Sequence, residues 1–172
     1  EGELAAINLR IGGALGGGTA CTAPSGPGRA LMTESSGRAG ASEPPVTILN
    51  VMRGGPSTGI PTKSEQSDRN IALNGLRGDA PHRVLAPLDI ADCVFTTGWA
   101  VQLAQPLQTA AILLPDQSSG QSTAIVSEPR RRAPTAATPA PTPGEAARPL
   151  ALTPTPTDDS ATPPPDPARL HP

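Results

Sequence analysis

Apolar and polar positions along the first three quarters of the chain follow two alternating periods. Leu4, Ile7, Ile11 and Leu15 recur three or four residues apart, which puts them on one face of a helix over residues 2–15, closed by Gly16-Gly17-Gly18. Thr19–Ala23 is predicted as a short strand. The turn Pro24-Ser25-Gly26-Pro27-Gly28 then leads into a helix over residues 29–40. Val46–Met52 is a nearly unbroken run of aliphatic and β-branched residues, the pattern of a buried strand. Ser64 stands at the cap of a helix over 65–76, Arg83–Ala86 reads as a strand, and Asp89 caps a helix over 89–103. Ala110–Leu114 is the last strand, closed by Pro115. Apolar strands alternating with helices predict an α/β fold, a parallel sheet with helices on both faces.

Composition divides the chain in two. From Pro129 onward almost every residue is Pro, Thr, Ala, Arg or Asp, and such a segment has too little apolar surface to offset the entropy of ordering. Residues 1–128 are the expected domain and 129–172 a disordered Pro/Thr/Ala-rich tail. Two origins for the tail stand side by side: a genuine linker, or GC-rich DNA read in a shifted frame. The chain opens on Glu1, inside an expected helix and without an initiator Met, and reads as an internal fragment.

A net charge of −2, one Phe and one Trp offer neither a basic footprint nor a stacking platform for nucleic acid. With no apolar run of membrane-spanning length and no signal-like amino terminus, the expectation is a cytoplasmic protein. Cys21 and Cys93 lack the clustered spacing of a zinc or iron–sulfur site, so no metal is expected on this chain and the two read as buried thiols.

The candidate chemistry lies after the strand 46–52. Arg53-Gly54-Gly55-Pro56-Ser57-Thr58-Gly59-Ile60-Pro61-Thr62 cannot continue a strand, so the backbone leaves the sheet with Arg53 at its carboxyl end, where open α/β sheets bind ligands. Arginine offers a planar, permanently charged fork for a carboxylate or phosphate, the glycines admit a ligand to bare backbone, and Ser57, Thr58 and Thr62 add hydroxyls. The loop is suited to a small anion. Other features point to structure. Gly12-Gly13 and Gly16-Gly17-Gly18 match neither a dinucleotide fingerprint nor a P-loop, Ser25 is in no nucleophile elbow, and His82 reads as a loop histidine without a second metal ligand. Arg130-Arg131-Arg132 reads as solvated tail.

Arg53 through Asp68, Arg-Gly-Gly-Pro-Ser-Thr-Gly-Ile-Pro-Thr-Lys-Ser-Glu-Gln-Ser-Asp, resembles the signature of the alpha subunit of 2-oxoacid:ferredoxin oxidoreductases, most closely the 2-oxoglutarate type. The resemblance extends upstream through Ser25–Gly28 and Leu31–Glu34, and downstream through Gly78–His82, Val84–Pro87 and Asp116–Gln121, fading near Glu128. It implies a thiamine-diphosphate pyrimidine-binding domain and the conversion of 2-oxoacid, coenzyme A and oxidised ferredoxin into acyl-CoA, carbon dioxide and reduced ferredoxin. It also implies roles for particular residues. Glu3 falls where the family places the glutamate that hydrogen-bonds the cofactor's aminopyrimidine; Arg53 and Thr62 fall where it contacts the substrate; Ser25, Gly26 and Gly28 would give a backbone-amide surface near the cofactor. A beta subunit would bind the diphosphate and Mg2+, and an iron–sulfur cluster (4Fe–4S) would lie on partner regions. This chain would supply half a site and be inactive alone. The alternative from another class is a non-catalytic α/β remnant whose Pro-rich tail binds a partner.

Overall fold

A computed structural model describes residues 2–127. The expected tail, Arg130-Arg131-Arg132 and the partner-binding alternative therefore lie outside the described residues. Four parallel strands form one sheet in the order β1-β2-β4-β3, with β1 at Ala20–Thr22, β2 at Val46–Leu49, β3 at Arg83–Leu85 and β4 at Ala111–Leu113. The two central strands are the two most apolar runs. Val46, Ile48, Ile112 and Leu113 are fully or almost fully buried, as strands covered on both faces must be.

Register sorts the side chains by face. Thr22, Ile48, Ile112 and Val84 lie side by side across the sheet. The last three join a core formed with Ile7, Ile11 and Ala14 of α1 (Gly2–Leu15), Ala39 of α3 (Thr33–Ser42) and Ala72 of α4 (Asp68–Asn74). Ala111 and Leu85 point the other way and pack on Ala100 and Ala104 of α5 (Ile90–Leu107). The expected α/β class, a parallel sheet with helices on both faces, is what forms.

Several local expectations differ from the structure. The single helix expected over 29–40 is two, α2 (Pro27–Leu31) and α3, hinged at the buried Met32; Pro27 opens α2, since its fixed φ suits a first turn and its missing N–H has no helical partner there. Leu4 is 46% exposed, so the buried stripe of α1 is Ile7, Ile11 and Ala14. Ser64 does not cap a helix at 65. The helix α4 begins at Asp68 because Glu65 is engaged in bonding back to the N–H of Gly55, and the Ser64 hydroxyl accepts the Ser118 N–H instead.

The cysteines are not two buried thiols either. Cys21 is exposed and Cys93 half-buried, because β1 is an edge strand and the packing of α5 is on β2, β3 and β4. Asp89 does cap α5, accepting the Asp92 N–H at 2.8 Å, but the helix runs four residues beyond the expected 103. Its outward side carries Phe95 and Trp99, one turn apart with ring centroids 6.0 Å apart, both more than two-fifths exposed. Among the described residues no helix is long and apolar enough to cross a membrane.

Candidate active site

The parallel ladder continues past the formal strand ends. Asn50 N donates to Leu113 O (2.8 Å), Val51 N to Pro24 O (3.1 Å) and Met52 N to Pro115 O (2.8 Å). Bridges pair Ser25 with Val51 and Met52 with Asp116. The segments leaving β1, β2 and β4 are thus held together at the carboxyl edge of the sheet, and Arg53 emerges between them, where such sheets bind ligands.

The loop that follows folds back on itself. Gly54 N donates to Lys63 O (3.0 Å), Ile60 N to Gly54 O (2.8 Å), Gly59 N to Pro56 O (3.0 Å) and Gly55 N to a Glu65 carboxylate oxygen (2.9 Å). Gly59 has a φ of 65°, and a Cβ there would overlap the Gly54 carbonyl, so only glycine closes this turn. Arg53 is half-buried. Its Nη2 donates to Thr58 O at 3.1 Å, while its Nε is buried without a partner. Thr62 is exposed in the same loop, its backbone fixed between Pro61, whose carbonyl accepts from Gln117 Nε2, and Lys63.

The turn Ser25–Gly28 lies between the two charged candidates. A Cβ built on Gly26 would fall 2.8 Å from Cγ and Nε of Arg53, and one on Gly28 would fall 3.2 Å from Oε1 of Glu3. Glu3, on the first turn of α1, and Arg53, beyond the end of β2, therefore reach the same four-residue turn from two sides. Two of the backbone amides expected to face the cofactor are already engaged. Gly26 N donates to Val51 O and Gly28 N to Ser25 O, and the Ser25 hydroxyl donates to Val51 O. Gly26 N and the Ser25 hydroxyl tie the turn to the segment after β2 and Gly28 N closes the turn on itself, so Gly26 and Gly28 contribute close approach.

Four further polar residues had no assigned role in the sequence. Asn50 is fully buried at the end of β2, and neither of its side-chain polar atoms has a hydrogen-bonded partner. Asp68 stands beside it. Burial pushes its carboxyl up, against the opposing pull of the Arg53 N–H, the nearby Asn50 amide and the Arg53 charge. Gln117 is buried with its Oε1 unpaired. Arg29 is fully buried; one of its nitrogens donates to Ser36 Oγ at 3.1 Å, and desolvation pulls its pKa down. The available signals were a lone Asn ending an apolar run and an acid ending the loop motif. His82 is in a loop, as expected, with its ring nitrogens 2.8 Å from Ala72 O and 3.1 Å from Ala80 O. It borders a cleft of about 420 Å³ at the amino-terminal end of β3, the opposite edge of the sheet from Arg53.

A family model described as pyruvate flavodoxin/ferredoxin oxidoreductase, thiamine diP-bdg, matches residues 1–166. The chain belongs to this family. It is a family of thiamine-diphosphate-binding domains. Over 126 residues the chain is 47% identical to the 2-oxoacid:ferredoxin oxidoreductase subunit alpha of Saccharolobus solfataricus, covering 73% of this chain and 20% of the relative. It is 44% identical over 129 residues to the 2-oxoglutarate synthase subunit KorA of Archaeoglobus fulgidus, covering 75% and 37%. The solved structure of the 2-oxoglutarate:ferredoxin oxidoreductase from Magnetococcus marinus, with 2-oxoglutarate, coenzyme A and succinyl-CoA bound, aligns with a TM-score of 0.67 at 45% identity, over 68% of this chain and 20% of that one. The chain thus spans a fifth to just over a third of the length of these family members.

Proposed function

We propose that this chain is the pyrimidine-binding part, residues 1–128, of the alpha subunit of a 2-oxoacid:ferredoxin oxidoreductase, with 2-oxoglutarate as its oxoacid. The complete enzyme would decarboxylate the oxoacid oxidatively to an acyl-CoA and pass the electrons to ferredoxin. A beta subunit would hold the diphosphate and Mg2+ of the cofactor, and the iron–sulfur cluster would belong to partner regions. The observation that carries this reading is the convergence of Glu3 and Arg53 on the turn Ser25–Gly28 at the carboxyl edge of the sheet. Sequence likeness to alpha subunits across this segment supports it.

The residues present fit the cofactor. Glu3 would present its carboxyl group to the aminopyrimidine ring, and Gly26 and Gly28, lacking Cβ atoms, let the Arg53 and Glu3 side chains lie against the turn. When bound, thiamine diphosphate supplies a carbon nucleophile for the oxoacid carbonyl. A carboxylic acid against a ring nitrogen favours the tautomer that can accept a proton, which is the role of Glu3. Arg53 would take the substrate carboxylate through charge-assisted hydrogen bonds, and the Thr62 hydroxyl, in the same loop, would donate to the same substrate.

The test is Arg53→Ala in a complete enzyme carrying this domain. Losing a charge-assisted contact of roughly 2–4 kcal/mol lowers kcat/KM for the oxoacid about a hundredfold or more. Thiamine diphosphate affinity should be unchanged. Normal oxoacid kinetics in a folded variant would make the loop structural.

A further inference from the structure

Four buried polar atoms without hydrogen-bonded partners collect on three residues around the base of the loop: Asn50 Oδ1 and Nδ2, Arg53 Nε and Asp68 Oδ2. Asn50 and Arg53 are three residues apart at the carboxyl end of β2, and Asp68 opens α4 at the far end of the same loop. The two ends are joined directly. The Ser67 hydroxyl lies 3.5 Å from Arg53 O, and the Asp68 carboxylate next to it faces the Arg53 backbone and the Asn50 amide. Folding alone does not favour such a group. A carboxylate drawn out of water beside an unsatisfied amide is unfavourable, and an apolar residue at either position would avoid that penalty. A buried polar group left unsatisfied in a native fold needs a reason, and perturbed carboxyl groups cluster at functional sites.

We propose that Asp68 is a positioning residue for Arg53, its carboxylate facing the arginine from the start of α4 so that the guanidinium is aligned for the carboxylate of the 2-oxoacid. This rests on the reading of Arg53 as the substrate's partner. The charges around Asp68 are consistent with positioning. Arg53 attracts it and Glu65 repels it. Glu65 is itself tied to the Gly55 N–H, so the two acids lie against the backbone on either side of Gly54.

The experiment is a cycle of Arg53→Ala, Asp68→Ala, Asp68→Asn and the double variant Arg53→Ala/Asp68→Ala in the complete oxidoreductase. KM and kcat for 2-oxoglutarate, thermal stability and calorimetric thiamine diphosphate affinity are measured for each. Asp68→Ala raises KM at least tenfold with kcat within twofold and cofactor affinity unchanged. Asp68→Asn, which keeps the shape and an acceptor oxygen but carries no charge, raises KM three- to tenfold without loss of thermal stability. In the Arg53→Ala background the Asp68 change adds less than twofold, because the residue acts through the arginine. An unchanged KM in Asp68→Asn, or a full additional loss in the double variant, overturns the positioning role while leaving Arg53 in place. An unaltered KM in Arg53→Ala removes the reading beneath it. Should Asp68→Ala not fold, the near-isosteric Asp68→Asn decides alone.

Discussion

Gly26 and Arg53 are packed so closely that a β-carbon on the glycine would fall 2.8 Å from two atoms of the arginine side chain. The glycine's φ of 48° with ψ of −115° is backbone that L-residues rarely adopt, so the turn after β1 and the arginine after β2 are fitted to each other. Gly26→Ala should therefore act twice. Backbone strain lowers stability by roughly 1–3 kcal/mol, and displacement of Arg53 raises KM for the oxoacid in the complete enzyme. Denaturant melts and steady-state kinetics on one preparation check both. Unchanged KM would separate Gly26 from substrate binding.

Glu3 lies against Gly28, within reach of the same turn. Glu3→Gln keeps the shape of the side chain but not its acid, so in the complete enzyme kcat should fall by about 10²-fold or more, with KM for the oxoacid altered less than threefold. Calorimetry should find thiamine diphosphate still bound.

Asp116 caps α6 (Gln117–Gln121), its Oδ1 accepting the Ser119 hydroxyl at 2.6 Å and the Ser119 N–H at 2.7 Å. These bonds hold its carboxyl below the usual carboxylate range. A folded-state pKa below the unfolded value contributes stability above the ordinary carboxylate pKa that is lost as pH falls through the folded one. Asp116→Ala should cost about 1 kcal/mol at pH 7, with the difference from the parent shrinking below the ordinary carboxylate pKa. Urea melts across pH 3–7 measure it.

Asp68 has the opposite sign. Burial raises its carboxyl above the unfolded value, so the ionised form disfavours the folded state at neutral pH, and this penalty disappears as pH falls through the raised value toward the ordinary one. Asp68→Asn should leave the chain at least as stable as the parent at pH 7, measured by urea midpoint. A clear loss of stability would mean that the carboxylate is holding the fold together.

Ile48 is fully buried at the centre of β2, among residues from both neighbouring strands and from α1, α3 and α4. Ile48→Ala should cost about 2–5 kcal/mol through lost transfer energy and the cavity left behind, read as a shift of the urea midpoint at constant m-value.

Sequence alone determined the layers of this domain and the place of its loop. Alternation of apolar strands with periodic helices fixes a parallel α/β sheet, and a Gly/Pro run after a buried strand puts Arg53 at the sheet's carboxyl edge, since both are local consequences of side-chain period and backbone freedom. Capping of α5 by Asp89 was legible for the same reason, whereas the start of α4 at Asp68 was not, because Glu65 bonds to Gly55 across ten residues and so belongs to the loop instead of the helix. Exposure of Cys21 depended on the strand order, which no local pattern carries. Only the tertiary structure brought Glu3, Gly26, Gly28 and Arg53 to one turn and set Asp68 beside Asn50 and Arg53. Those contacts join α1, the exit of β1, the exit of β2 and the start of α4, segments up to 65 positions apart (68 − 3), and their geometry follows from sheet register and helix packing.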